Sequence, residues 1–430
     1  MNGDGILEEL FDTHEPEKAV IVGLSADSSD ERDRSTEESL DELEALLETA
    51  GGICLGRMLQ NRKTPEPRTY IGKGKIEELK ELAERNECTL AVFDNELSPS
   101  QIKAISEDLG ITVIDRSSLI LDIFASRART REGRLQVELA QYKYLLPRLT
   151  GMWKHLSSQT GTSAPIGTRG PGETQLETDR RHIRRKIVKL EEELREVIKS
   201  RETQRRLREK NNIPVIALVG YTNAGKSTLL NTLTGAGIQA ENRLFDTLDA
   251  TTRRLVVSDT CKALISDTVG FIRKLPHHLV SAFKATLEEL KYADLLIHII
   301  DASSDQWQEQ ARVVDDLIVE LEVSATPRIE AFNKCDLSGA DIRFHGEGSV
   351  EISAKTGQGI KTLLKMIEDK LSSTNKKTTL HLPYDKAGLI EKLHRDSEVK
   401  DVRYLEGYIE LDAVLSPGVY ERFREWVVEG

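Results

Sequence analysis

Val215-Ile216-Ala217-Leu218-Val219-Gly220-Tyr221-Thr222-Asn223-Ala224-Gly225-Lys226-Ser227-Thr228 decides how this chain folds. A run of β-favouring apolar residues stops at G-x-x-x-x-G-K-S, and a helical pattern, Thr228 to Leu233, follows. Strand, glycine loop and helix in that order are the context in which a P-loop match carries a mechanism. Gly220 and Gly225 let the backbone turn its N–H groups inward around a di- or triphosphate, at the positive end of the helix. Lys226 is placed to reach the β- and γ-phosphates, and the Ser227 hydroxyl to bind Mg²⁺. A glycine-containing βα turn with a chance lysine is the bland alternative, and the strand and helix on either side count against it.

Further segments fall downstream in the order of a guanine-nucleotide domain. Lys262 to Ser266 is strand-like and delivers Asp267, followed by Thr268-Val269-Gly270. Asp267 is positioned to bind Mg²⁺ directly or through water, and Gly270 to bring its N–H to a γ-phosphate. Between the P-loop and this strand lies Phe245-Asp246-Thr247-Leu248-Asp249-Ala250-Thr251-Thr252-Arg253. One of its three threonines completes the Mg²⁺ shell when a third phosphate is present; spacing does not say which. Leu295 to Ile300 is another buried strand, and Arg328 to Phe332 runs into Asn333-Lys334-Cys335-Asp336. The Asp336 carboxylate accepts two hydrogen bonds from guanine N1–H and the exocyclic amine, a donor pair that adenine lacks. Lys334 is expected to lay its stem over the ring, and Asn333 to tie this loop to the purine and the P-loop. Ile352-Ser353-Ala354-Lys355 offers a backbone N–H to guanine O6.

Position 271 governs the chemistry. Ras-like hydrolases carry there a glutamine that orients the attacking water. This chain has Phe271, which cannot hold water, so a partner or another polar group must complete the site.

The remaining composition narrows the class. The 430 residues have room for two to four domains. No apolar run approaches the ~20 residues needed to span a bilayer. The N-terminus is acidic, without a signal pattern, and Cys54, Cys88, Cys261 and Cys335 are scattered, so reduced thiols in a cytoplasmic protein are expected. The adjacent His277 and His278 read as surface residues. A formal net charge of −12 argues against indiscriminate coating of nucleic acid. Acidic residues nevertheless crowd the first fifty positions, while Arg127 to Lys210 is strongly basic, a separation that points to a charged partner.

Taken in order, Ala19 to Leu24 reads as a strand, Ser39 to Ala50 as an amphipathic helix, Ile76 to Glu87 as a second helix, and Leu90 to Phe93 as a strand. Ser100 to Leu109 is helical and Ile111 to Ile114 extended, a small parallel α/β domain. Gly72-Lys73-Gly74-Lys75 lacks P-loop spacing and reads as a solvent-facing turn. Leu119 to Arg129 and Arg134 to Leu149 are helical. Thr160 to Gly172, rich in Gly, Pro, Ser and Thr, reads as a loop, and Glu173 opens a long charged helix. That helix carries an apolar stripe, Ile183, Ile187, Leu190, Leu194 and Ile198, suited to packing on other helices. Arg180, Arg181, Arg184 and Arg185 on its other face, with Arg169 in the loop, are suited to gripping structured RNA. After a polar linker, Ser372 to Lys377, the chain shows a strand at Thr379 to Pro383, a helix at Lys386 to Arg395, a hairpin around Glu406-Gly407 and a helix over Pro417 to Val428.

The expected organisation is α/β: an acidic tail (1–18), a smaller N-terminal α/β domain (19–118), a basic helical subdomain (119–210) with a Gly-rich loop (157–172), a P-loop GTPase domain with a mixed, mostly parallel sheet (211–372), and a small α/β C-terminal domain (373–430).

The chain resembles the HflX family of ribosome-associated GTPases along nearly its whole length. The resemblance is carried by Gly170-Pro171-Gly172-Glu173-Thr174-Gln175-Leu176-Glu177-Thr178-Asp179-Arg180-Arg181, by Gly220 to Ser227, by Asp267-Thr268-Val269-Gly270-Phe271, and by Tyr70 to Lys75. It implies binding of the large (50S) ribosomal subunit and its RNA, GTP hydrolysis to GDP stimulated by the ribosome, and splitting or rescue of stalled ribosomes under stress. It also implies that Thr247 is the Mg²⁺ threonine. Asp246 and Ala250 stand where Ala and Pro are commoner in the family, which shares the apolar residue at 271. A monomer is expected. Two competing readings are an anti-association module in which hydrolysis is incidental, and a GTPase assisting tRNA modification. Against the latter, no Cys or folate-like pocket is evident near the C-terminus. An RNA-remodelling ATPase would need a second nucleotide site.

Overall fold

A computed structural model describes residues 16–28, 34–152, 171–210, 213–235, 244–245, 251–258, 261–274, 288–337, 346, 348–372, 376–415 and 417–428. The chain divides into two compact units.

The first unit contains β1 (Lys18–Ala26), α1 (Glu37–Thr49), β2 (Ile53–Arg62), α2 (Lys73–Arg85), β3 (Leu90–Phe93), α3 (Pro99–Leu109), β4 (Thr112–Asp115) and α4 (Arg116–Arg127). All four strands are parallel, in the order β2-β1-β3-β4. β1 and β3 are apolar runs buried on both faces, as a parallel sheet covered by helices requires. Thr36 accepts from the Ser39 N–H to cap α1, and Ser98 with Gln101 forms a capping box at α3. β2 is a strand that the sequence reading does not contain. It forms the sheet edge, alternates exposed and half-buried residues, and ends in Gln60-Asn61-Arg62, so it offers no continuous apolar run to detect. Gly72 is the N-cap of α2. The glycine–lysine segment is therefore the first turn of a helix, not a free turn, though Lys73 does face solvent.

Asp94, at the end of β3, is fully buried in a polar cluster. It accepts from Ser35 (2.6 Å) and the Arg116 guanidinium (2.8 Å), and also from Ser39 and Lys274. Burial opposes its charge, but Arg116 and Lys274 outweigh burial and hold the carboxyl below the ordinary range.

Two long helices follow: α5 (Arg131–Met152) and α6 (Pro171–Lys210). Pro171 and Gly172, expected in the loop, open α6; proline is tolerated there because a first-turn N–H has no intrahelical partner. Ile183, Leu190 and Leu194 are buried, whereas Ile187 and Ile198 are half-buried.

The second unit contains β5 (Val215–Gly220), α7 (Lys226–Thr234), β6 (Thr251–Val256), β7 (Lys262–Asp267), β8 (Leu295–Asp301), α8 (Trp307–Glu320), β9 (Arg328–Asn333), β10 (Ser349–Glu351) and α9 (Ile360–Ser372). They build a six-stranded sheet, β10-β9-β8-β5-β7-β6, parallel except for β6 against β7. Successive residues of β5 alternate between two cores. Ile216 and Leu218 pack with Leu229, Leu230, Leu363 and Ile367, while Ala217 and Val219 pack with Phe271, Leu296, Val314 and Leu317. The sheet is thus covered on both faces, and the loops at its C-terminal strand ends are where an open α/β sheet binds ligands.

The same unit ends in β11 (Lys376–Pro383), α10 (Gly388–Asp396), β12 (Glu398–Leu405), β13 (Tyr408–Leu415), α11 (Pro417–Phe423) and β14 (Val427–Val428). These strands form an antiparallel sheet, β12-β13-β11-β14. The helix expected to reach Val428 stops at Phe423, because Val427 and Val428 pair with Leu380 and Thr379 instead. Among the described residues, no helix is long and apolar enough to cross a membrane.

Candidate nucleotide site

β5 ends at Gly220, and the chain turns back through Asn223 (φ 61°) and Gly225 (φ 97°) before α7 begins at Lys226. Both motif glycines are sterically required. A Cβ at Gly220 would stand 2.4 Å from the Ile299 carbonyl oxygen, and one at Gly225 would stand 2.2 Å from Asn333 Nδ2. The absence of side chains at these two positions therefore lets the loop touch β8 and the β9 end.

Lys226 is buried and donates to the carbonyls of Gly220 (3.1 Å) and Tyr221 (2.8 Å). Burial pushes its ammonium down to about 8, with Asp267 pulling in the opposite direction. Ser227, in the first turn of α7, donates its hydroxyl to Asp267 Oδ2 at the end of β7 (2.7 Å). Thr268 donates its own to the Leu218 carbonyl (2.6 Å), which locks the β7 end to β5.

Beyond β7 the chain is stitched to the P-loop. The Phe271 N–H donates to Gly220 O (3.2 Å), the Thr222 N–H to Phe271 O (2.7 Å), and the Arg273 N–H to the Tyr221 hydroxyl (2.8 Å). The Phe271 ring itself is core, buried with Leu290, Leu296 and Val314. Val269 is buried too.

Asn333 joins three loops. Its Nδ2 donates to the Ala224 carbonyl (2.8 Å), and its Oδ1 accepts from the Ala354 N–H (2.9 Å). The Cys335 N–H donates to the Ile352 carbonyl (3.2 Å), and the Thr232 hydroxyl in α7 donates to the Ala354 carbonyl (2.6 Å). Ser353 is buried, and its hydroxyl beside Asp336 holds that exposed carboxyl below the ordinary range. Lys355 is exposed. Lys334 sits at φ 67° with its ammonium 2.7 Å from Asp301 Oδ2. Sequence reading missed Asp301, although its signal was present: an aspartate closing the apolar strand β8.

The structure thus gathers Gly220 to Thr228, Asp267 to Gly270, Asn333 to Asp336 and Ser353 to Lys355 at one end of one sheet. Asp246, Thr247, Leu248 and Asp249 lie outside the described residues. Phe245 is buried at φ 55°. Of the three candidate threonines, Thr251 and Thr252 are taken up in β6, where Thr252 donates to the Ser266 hydroxyl (3.3 Å). On α6, Arg181, Arg184 and Arg185 are exposed and Arg180 is half-buried; Arg169 lies outside the described residues.

Four family models match the chain in order: "GTP-binding GTPase N-terminal" over residues 37–125, "GTP-binding GTPase Middle Region" over 127–208, "50S ribosome-binding GTPase" over 215–334, and "HflX C-terminal domain" over 343–420. The chain is 46% identical over 423 residues to GTPase HflX of Caldanaerobacter subterraneus subsp. tengcongensis, covering 98% of this chain and 96% of that one. It is 42% identical over 393 residues to GTPase HflX of Escherichia coli, covering 90% of each. Among solved structures it is similar to a GTP-binding protein from the archaeon Sulfolobus solfataricus in complex with GDP, at 26% identity and a TM-score of 0.42, covering 82% of this chain and 98% of that one. With matches running from the N-terminal region to the C-terminal domain, the chain belongs to the HflX family of GTPases.

Proposed function

We propose that this chain is a cytoplasmic, monomeric GTPase that engages the large (50S) ribosomal subunit in its triphosphate state and splits stalled ribosomes under stress. Hydrolysis, stimulated by the ribosome, then releases it. The observation that carries this reading is the Asn333 amide, which bonds the phosphate loop at Ala224 and the Ser353–Lys355 loop at Ala354 at once. A base seated on Asp336 is thereby linked to phosphates seated on Lys226. The exposed carboxylate of Asp336 selects guanine through two donors that adenine does not offer together. Gly270 senses the third phosphate.

Mg²⁺ fits the residues present. Ser227 and Asp267 put a hydroxyl and a carboxylate 2.7 Å apart, both hard oxygen donors, and Mg²⁺ prefers a few such ligands beside phosphate oxygens and water. Ser227 and Thr247 would hold it, with Asp267 bound directly or through water. When bound it neutralises charge on the β- and γ-phosphate oxygens. The arginine face of α6 supplies phosphate contacts to ribosomal RNA.

The test is GTP turnover by the full chain with and without purified large subunits, alongside sedimentation of 70S ribosomes with GTP, GDP or ATP. Turnover that rises with large subunits, and splitting that requires GTP, support the reading. Equal affinity for GTP and ATP, or splitting indifferent to nucleotide, overturns it.

A further inference from the structure

With Phe271 committed to the core, some other polar group must meet the attacking water. Thr222, the second variable residue of the P-loop, is the side chain the geometry singles out. It is only 7% exposed, and its hydroxyl oxygen is fully buried without a hydrogen-bond partner among the described residues. Such an orphan is destabilising, and valine would fill nearly the same volume without leaving a polar atom unpaired.

Its surroundings say what the hydroxyl is for. The Thr222 N–H is fixed by its bond to Phe271 O (2.7 Å), so the residue cannot swing away from the chain that follows β7. A Cβ built on Gly270 would lie 2.9 Å from Thr222 Cγ2 and 3.0 Å from Lys226 Nζ. The Thr222 methyl and the P-loop ammonium therefore both lie against Gly270, the glycine proposed above to sense the third phosphate. The Thr222 hydroxyl, buried in this loop with no protein partner among the described residues, has a phosphoryl oxygen or its attacking water as the natural one.

We propose that Thr222 is a catalytic residue that takes the water-orienting role Phe271 cannot play. Its oxygen accepts a hydrogen bond from the attacking water, while its O–H, keeping its proton, donates a hydrogen bond to a γ-phosphoryl oxygen. The water oxygen bonds to the γ-phosphorus as the bond to the β,γ-bridging oxygen breaks. The electron pair of that bond leaves with GDP, and the water's proton goes to the released phosphate. Thr222 ends the step unchanged.

The experiment compares Thr222→Val, which removes only the hydroxyl, with Thr222→Ser, which keeps it, in the full chain. Readouts are kcat and KM for intrinsic GTP hydrolysis, affinity for fluorescent GDP, affinity for GDP with aluminium fluoride, and the melting midpoint. The expected result is a kcat lower by about 10- to 100-fold in Thr222→Val, with weakened aluminium fluoride binding. GDP affinity and melting midpoint stay level or rise, and Thr222→Ser stays within about threefold of the unaltered protein. Because the intrinsic rate is read, the outcome is independent of whether ribosomes stimulate hydrolysis. An unchanged kcat in Thr222→Val overturns the proposal. So does an equal loss in both variants, or a loss of GDP affinity parallel to kcat, since these would assign the residue to shape rather than to chemistry.

Discussion

Ser227 Oγ donates to Asp267 Oδ2 across 2.7 Å, so the first turn of α7 and the end of β7 are joined by one bond between the two groups proposed to hold Mg²⁺. Each residue orients the other before any ion arrives. Ser227→Ala is expected to weaken GTP binding in saturating Mg²⁺ by roughly ten- to a hundredfold, the worth of a charge-assisted contact of about 1.5–3 kcal/mol. In EDTA the variant and the unaltered protein should bind alike. An equal deficit in EDTA would make Ser227 a folding residue rather than a metal ligand.

Asn333 and Asp336 stand three residues apart and should fail in different ways. Asn333→Ala strips partners from the Ala224 carbonyl and the Ala354 N–H, both on buried residues, at about 1–3 kcal/mol each. Melting midpoint and GTP affinity are therefore expected to fall together. Asp336 is exposed, so Asp336→Ala should leave the midpoint in place while GTP loses about a hundredfold in affinity and its advantage over ATP. Paired melting and nucleotide-binding measurements separate the two; a coincident drop in both properties for Asp336→Ala would refute its assignment as the base-selecting group.

What could be read from the sequence was local. The P-loop, Asp267 and Asn333 to Asp336 each sit where an apolar β run meets turn chemistry, and a few consecutive residues carry both signals. What escaped was set at a distance. β2 is an edge strand held by pairing with β1, and its own alternation is blurred by Gln60, Asn61 and Arg62. The last helix ends at Phe423 because β11 captures Val427, a pairing no local propensity announces. Asp301 matters through Lys334, and Thr222 through Gly270, each partner arriving from another strand end. Phe271 shows both limits at once. Its identity told that the glutamine was missing, yet only packing told that the ring points away into the core.

Lys226 is expected to make nucleotide binding pH-dependent. Burial pushes its ammonium from 10.5 down to about 8 in the folded chain. Bound phosphates restore the charged form, so binding takes up a proton above that pH. GTP affinity is expected to hold steady below about pH 8 and to weaken above it by up to tenfold per unit. The same depressed value implies that the nucleotide-free fold gains stability between 8 and 10.5, where the unfolded chain still binds the proton. Calorimetry at pH 9 in buffers of different ionisation enthalpy checks the uptake; a binding heat independent of buffer would contradict it.

His298 gives the fold an acid limit. It lies on β8, buried, 3.9 Å from Asp315 Oδ1, too far for a hydrogen bond, and its Nδ1 has no partner among the described residues. The nearby carboxylate favours a charged ring, but Asp315 is engaged by Arg328 at 2.5 Å. Burial prevails, followed by repulsion from Arg328 and Lys226, and pushes the imidazole from 6.5 down to about 3. The unfolded chain therefore binds a proton that the folded chain refuses, and stability falls as pH drops through that window, by about 1.4 kcal/mol per unit below 6.5. His298→Leu, apolar and of similar volume, should unfold with a shallower pH dependence between 6.5 and 4 than the unaltered protein. Urea titrations at pH 7, 6, 5 and 4 measure it, and parallel slopes for the two proteins would remove His298 as the group responsible.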